Sequence, residues 1–201
     1  APSSVFLPGH LRDVHASAKT IVATNGAAQL DSLGLSSDSW LARLKRIVCV
    51  AAAVHDLGKA NDHFQGMVRR ERIARQGLRH EWVTYLILAQ PNWESWLAAA
   101  FDTACDFRIM LWAVTGHHPS PGRASPPESV DGSGVEMLVH QSHSDFREAT
   151  RWIAREFGLD TPPDDDDIVL SLVDAEPSSA IPTIRKRFAI TEQRAMRSLS
   201  P

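Results

Sequence analysis

Cysteine is scarce, with only Cys49 and Cys105 in the chain. Both fall within apolar helical pattern, where a free thiol behaves as a small buried hydrophobe. No metal-type spacing of thiols exists, and one disulfide is the most the chain can form. A reduced, cytoplasmic protein is the simpler expectation. Long hydrophobic runs are missing too. No stretch reaches the ~20 apolar residues that a spanning helix needs, which excludes a helical membrane segment. The opening APSSVFLPGH lacks the basic flank and apolar region of a signal peptide. It also lacks an initiating methionine, as expected of a portion of a longer chain. Positive charge is not in excess. Lys and Arg total 21 against 24 Asp and Glu, a net charge of -3, and phosphate binding rests on Lys and Arg. Such a domain does not grip nucleic acid strongly by itself, so a nucleic-acid substrate would be delivered by something else. Absence of a Walker loop and of a Rossmann glycine fingerprint removes the usual ATP- and dinucleotide-binding readings. Neither strand-like alternation nor an internal repeat rises above the helical signal.

What is present is enough for one packed domain of 201 residues. The spacing of apolar residues predicts a helix over 11–24, closed near Asn25-Gly26. A central helix follows, with Ser37, Asp38 and Ser39 all suitable as caps. A further helix is expected over 61–73, carrying Phe64, Met67 and Val68 inward. Helices over 82–89 and 93–101 are split by Pro91, and others cover 107–115 and 143–157, the last ended by Gly158. The aromatics Trp82, Tyr85, Trp93, Trp96, Phe107 and Trp112 read as core rather than as base-stacking platforms.

Chemistry concentrates in VAAAVHDLGKANDHFQ, residues 50 to 65. An apolar run ends there in His55 beside Asp56, followed by Gly58, Lys59 and Asn61. Ionisable groups at the end of a core helix are costly to bury unless paired or bound to a metal. Taken alone, the pair is equally well a hydrogen-bonded core histidine. However, His80 opens another apolar helix, His117-His118 closes a third and His10 opens a fourth. Histidines at several helix ends are what a metal site inside a helical bundle requires, because facing helices supply side chains to one interior point. A carboxylate ending IVLSLVD, Asp174, repeats the pattern and is the candidate late acidic ligand. The inventory is rich enough for two ions bridged by one carboxylate, with Asp56 the natural bridge.

Other features read more plainly. Arg69, Arg70, Arg72, Arg75 and Arg79 form the densest positive cluster, and a solvated helix face is the commoner explanation for such a run. The acids Asp164 to Asp167 read as caps complementing a helix dipole. The Pro-, Ser- and Gly-rich stretch over 119–134 leaves directly from His117-His118, as a lid or substrate-guiding loop would. His15 reads as a surface or supporting residue, His63 as a substrate contact rather than a ligand, and His140 and His143 as having no metal role.

The motifs GHLRDVHASA, VHDLGKANDHFQ, LRHEW and TGHH, in that order, resemble the HD-superfamily nuclease domain of the CRISPR type I effector helicase-nuclease. The likeness runs from residue 9 to 118 and more weakly to Asp174, and LRHEW resembles the type I-F branch most. The resemblance implies an all-α, single HD-domain helical bundle with a metal site in its interior. On this basis 1–201 is one HD nuclease domain with its core at about 9–176, and 177–201 is a linker or the start of a connection to a helicase. It further implies metal-dependent cleavage of single-stranded DNA exposed by a guide-RNA effector complex; the mixed imidazole and carboxylate ligands admit two divalent transition-metal ions, manganese, iron, cobalt or nickel first and zinc as well. His10, His55, Asp56 and Asp174 resemble the first metal site; Asp56, His80, His117 and His118 resemble the second. Lys59 resembles the family's active-site lysine, and Asn61 and His63 complete the expected substrate contacts. Departure from the pattern comes at Asp174, where Pro177 disturbs the helix that carries the family's last acid. The competing readings are an HD phosphohydrolase acting on nucleotides, which needs only His10, His55, Asp56 and an acid, and a non-catalytic helical module that binds a helicase or effector complex.

Overall fold

Helix α1 (Leu7–Ser32) and helix α2 (Ser37–Val54) pack on each other as the long pair of the computed structural model. The structure describes residues 6–71, 77–118, 136–164 and 166–172, with Lys186 and Ala189. Pro8 sits in the first turn of α1, where its missing N–H costs nothing. The helix does not stop at Asn25-Gly26. A Cβ on Gly26 would come 2.9 Å from Leu41 Cδ1 and 3.1 Å from Val22 Cγ2, so the glycine lets α1 lie close on α2. That packing offsets the roughly 1 kcal/mol a mid-helix glycine costs. The stop lies at Gly34, at φ +71°, with Leu35 N–H bonded to Leu30 O at 2.9 Å and Gly34 N–H to Asp31 O at 3.0 Å. This is the left-handed glycine cap with its long and short return bonds.

Helix α2 buries Cys49, Val50, Ala53 and Val54 towards its end and delivers His55 as its last cap residue. A 3-10 turn over Leu57–Lys59 then leads to α3 (Asp62–Val68). Asn61 caps α3, its Oδ1 accepting from Phe64 N–H at 2.8 Å. This helix is shorter than the sequence predicts and turned differently. Met67 and Val68 are exposed, and His63 is the residue it buries.

All nine residues of α4 (His80–Leu88) are buried, as a helix apolar nearly all round requires. Pro91 begins α5 (Pro91–Ala98), and α6 (Ala104–Thr115) starts on the Thr103 cap. Helix α7 (Ser144–Phe157) buries Phe146, Ala149, Thr150, Ile153, Ala154 and Phe157, a regular helical stripe, and ends on left-handed Gly158.

Two short strands depart from the purely helical expectation. Strand β1 (Glu136–Val139) pairs antiparallel with β2 (Ile168–Ser171), with Glu136 opposite Ser171 and Val139 opposite Ile168. Four residues are too few for alternation to stand out, and the pairing is made by distant segments. Helices nevertheless carry the architecture and the site, and the class is all-α. Because a strand follows them, the described acids before residue 168, Asp164, Asp166 and Asp167, cap no helix. Asp167 Oδ1 accepts from Ser142 N–H at 2.8 Å, and Asp164 pairs with Arg147 at 2.8 Å. Among the described residues no helix is long and apolar enough to cross a membrane.

Candidate metal centre

Four helix ends converge on Asp56, whose side chain is 2% exposed. From the first turn of α1, His10 Nε2 reaches Asp56 Oδ2 at 2.8 Å. His55 Nε2 lies 3.0 Å from the same oxygen, and so does Lys59 Nζ at 2.5 Å. Asp56 Oδ1 faces the other way. His80 Nε2, from the start of α4, is 3.0 Å from it, and His117 Nε2, just past α6, is 3.6 Å away. His118 Nε2 in turn lies 2.9 Å from His80 Nε2. Two ligand groups result, His10, His55 and Asp56 in one and Asp56, His80, His117 and His118 in the other. Within each group the ligand atoms lie inside 4.8 Å of one another.

Whether this donor set suits a cation can be tested on its hydrogen bonding. His55 Nδ1 is 2.9 Å from Ala52 O, and His117 Nδ1 is 2.6 Å from Val114 O. A carbonyl only accepts, so each Nδ1 carries the proton and each Nε2 lone pair of the neutral ring points at Asp56. His80 Nε2 meets His118 Nε2 at 2.9 Å and His117 Nε2 at 3.3 Å, and one proton cannot serve both contacts. Asp56 Oδ1 is buried with no hydrogen-bond partner among the described residues, because His80 approaches it at ion-pair distance without bonding geometry. Convergent lone pairs around a divided carboxylate fit metal ions, and backbone carbonyls orienting the rings through Nδ1 are the expected outer support.

In their protonated form the same rings stabilise the charge of the carboxylate. Burial alone would raise the Asp56 pKa, yet the facing His117, His55 and His80 overcome it and hold the carboxyl well below the usual range. For His117, burial pushes the pKa down, while Asp56 and the Val114 carbonyl outweigh it and raise it. His118 is lowered by burial and by its neighbours His117 and His80, which favours the neutral, ligating ring.

Asp174 lies outside the described residues, as do the expected lid over 119–134 and Arg72 and Arg75. Asn61 and His63 are not brought to the cluster as substrate contacts. Asn61 is fully buried, capping α3 and donating from Nδ2 to Gly58 O at 2.5 Å. His63 is buried as well, with Nε2 3.0 Å from Glu136 O and Nδ1 accepting from Gly77 N–H at 3.3 Å. Both serve the local backbone, because a polar side chain buried there must satisfy its bonds within the fold. His15 packs edge-on against Trp152 and Phe157, away from the cluster. His140 pairs with Asp167 and His143 caps α7, so neither joins the site.

Glu81 escaped the reading of the sequence. It is buried, its Oε1 pairs with Arg79 Nε at 2.5 Å, and Oε2 lies 3.7 Å from His80 Nδ1. A carboxylate inside an otherwise apolar helix, directly after a candidate ligand, was the available signal.

The family model "Cas3, HD domain" matches residues 2–183. The chain belongs to the Cas3 HD-domain family. A relative from Myxococcus xanthus (strain DK1622), a putative CRISPR-associated nuclease/helicase Cas3, is 36% identical over 160 residues. That alignment covers 78% of this chain and 21% of the relative, so the chain spans about a fifth of the relative's length. No solved structure matches the chain. Membership in the Cas3 HD-domain family agrees with the helical fold and with a histidine-aspartate cluster able to hold metal.

Proposed function

We propose that this Cas3 HD domain is a metal-dependent nuclease that cleaves single-stranded DNA in type I CRISPR interference, using two divalent transition-metal ions. The observation that carries the reading is the division of Asp56 between two ligand groups. A one-ion phosphohydrolase acting on nucleotides needs His10, His55 and Asp56 but has no use for His80, His117 and His118. When bound, such ions supply positive charge for the phosphodiester oxygens and make water acidic enough to act as nucleophile near neutral pH.

The chain's own residues divide the remaining work. Asp56 is the shared ligand. Histidines 10 and 55 serve one ion, with Asp174 as the candidate further acid, and histidines 80, 117 and 118 serve the other. Lys59 carries a partly exposed ammonium at the site and is the group to stabilise charge developing on phosphate. His118 is the exposed member of the cluster and marks the side open to substrate. Exposed Arg69, Arg70 and Arg79 suit a solvated face. With net charge -3, delivery of the strand falls to a helicase and a guide-RNA effector complex in the cytoplasm. The relative's description as a nuclease/helicase supports a helicase partner, with residues 177–201 as the connection. LRHEW supports the type I-F branch.

The test is metal content of the purified chain under manganese, cobalt or nickel, with single-stranded DNA cleavage and nucleotide hydrolysis assayed on the same sample. Two ions with strand cleavage is the expected result. One ion with nucleotide hydrolysis alone replaces the reading with the phosphohydrolase, and no ion under any supply leaves a binding module.

A further inference from the structure

One hydroxyl joins the two halves of the centre. Thr84 is wholly buried in α4. Its Oγ1 donates to the His55 carbonyl at 3.0 Å and accepts from Gly58 N–H at 2.8 Å. His55 O belongs to the end of α2, where carbonyls have no partner within the helix. The Gly58 amide sits in the turn that follows Asp56. Thr84 thus satisfies one backbone group on each side of Asp56.

The same face of α4 presses on the turn. Thr84 stands four residues after His80, the spacing that puts two side chains on one helix face. A Cβ on Gly58 would collide with His80 O and lie 2.5 Å from Thr84 N and 2.8 Å from Thr84 Oγ1. Nothing larger than glycine fits between the turn and the helix. His80 and Asp56 therefore owe their 3.0 Å approach to a close contact that the Thr84 hydroxyl fastens from the α4 side.

We propose that Thr84 is a positioning residue that sets the separation of Asp56 and His80, and thereby the metal affinity of the group formed by Asp56, His80, His117 and His118. The inference rests on the metal-centre reading above. Residues that orient ligands from outside the coordination shell typically cost 10–100-fold in metal affinity when removed. Valine has the shape of threonine but leaves both backbone groups without their partner; serine keeps both bonds. The other group takes His55 and Asp56 from one continuous segment and His10 from α1, so none of its ligands is carried by α4 and their spacing is set within that segment and by α1.

The measurement is a manganese(II) titration of this chain, with free ion followed by electron paramagnetic resonance, on wild type, Thr84→Val and Thr84→Ser. Folded fraction is fixed for each by circular dichroism and thermal melting. The expected result is two binding steps in wild type, one of them weakened by roughly 10–100-fold in folded Thr84→Val and restored in Thr84→Ser. A tether that only stabilises the fold lowers the melting temperature but leaves the affinity of folded protein unchanged, and that outcome overturns the inference alone. Should Thr84→Val not fold, Thr84→Ala takes its place, and a folded Thr84→Ser with weakened binding also overturns it. Wild type that binds no manganese overturns the metal-centre reading and the inference together.

Discussion

His80 Nε2 lies 3.0 Å from Asp56 Oδ1, a contact made across the junction of two helices rather than within either. Because the other oxygen of Asp56 faces His10, His55 and Lys59, one carboxylate serves both ligand groups. Asp56→Asn is therefore expected to lose both ions together, where His118→Ala, at the exposed edge of one group, loses one. Metal analysis after dialysis against manganese checks this. Strand cleavage by Asp56→Asn should fall further than the ~10–100-fold cost of an outer-shell change, and an Asp56→Asn protein that still cuts would remove Asp56 from the chemistry.

Metal removal should also register in stability. A ligand that binds only the folded state at a hundred times its dissociation constant adds about 2.7 kcal/mol. Wild type is expected to melt at lower temperature after chelation and to recover on adding manganese. An Asp56→Asn protein should show no such response, and equal shifts in the two proteins would place the stabilising ion elsewhere.

Substitution at Gly58 tests the close approach of the turn to α4. Its added Cβ meets backbone, His80 O and Thr84 N, which cannot swing aside as a side chain would. Gly58→Ala is expected to destabilise by roughly 1–3 kcal/mol, the usual range for overpacking, as read from urea denaturation. A stability within ~0.5 kcal/mol of wild type would mean that the helix yields easily.

Away from the site, Arg43 donates to buried Asp106 through Nη2 at 2.5 Å and Nε at 3.2 Å while stacking on Trp40. Arg43→Ala leaves the Asp106 charge unpaired. Breaking a fully buried pair costs about 3–5 kcal/mol; Arg43 is 32% exposed, so about 2 kcal/mol is expected after allowing for solvent screening. The double change of Arg43 and Asp106 to alanine should recover part of it.

His15 gives the chain a pH dependence that has nothing to do with metal. Burial against Trp152 and Phe157 lowers its pKa, Glu156 opposes and Lys19 assists. A histidine whose folded pKa is depressed binds fewer protons folded than unfolded. Its contribution is complete above the unfolded value, about 6.5, and is lost as pH falls through the folded value. In metal-free protein, denaturation midpoints should decline below about pH 6.5, and less steeply in His15→Leu. Identical slopes would assign the decline to other groups.

The histidine-aspartate cluster was legible in the sequence to the extent that each candidate ligand marks a helix boundary. His10, His55, His80 and His117-His118 all sit where an apolar run starts or stops, and that signal is local. What escaped depends on distant partners. Nothing near His63 announces that Glu136 O and Gly77 N–H will engage its ring, so a buried brace read as a substrate contact. Strand β2 read as the approach to a terminal acid because its partner is far away in sequence. Gly26 read as a stop because glycine usually weakens a helix, whereas here it admits Leu41. Thr84 and Glu81 were visible as polar residues in an apolar helix, but only the fold gives them a target.

The crossing at Gly26 has an effect at the far end of its helix. His10 lies sixteen residues from it (26 − 10) on the same unbroken rod, about 24 Å along the axis at ~1.5 Å per residue. The rod is a lever pivoting on a glycine, with a candidate metal ligand at its tip. A tilt of a few degrees at the pivot moves the imidazole by an ångström or more, the margin that separates a bound ligand from a free one. Tolerances at the centre are therefore set partly by a residue that never comes near it.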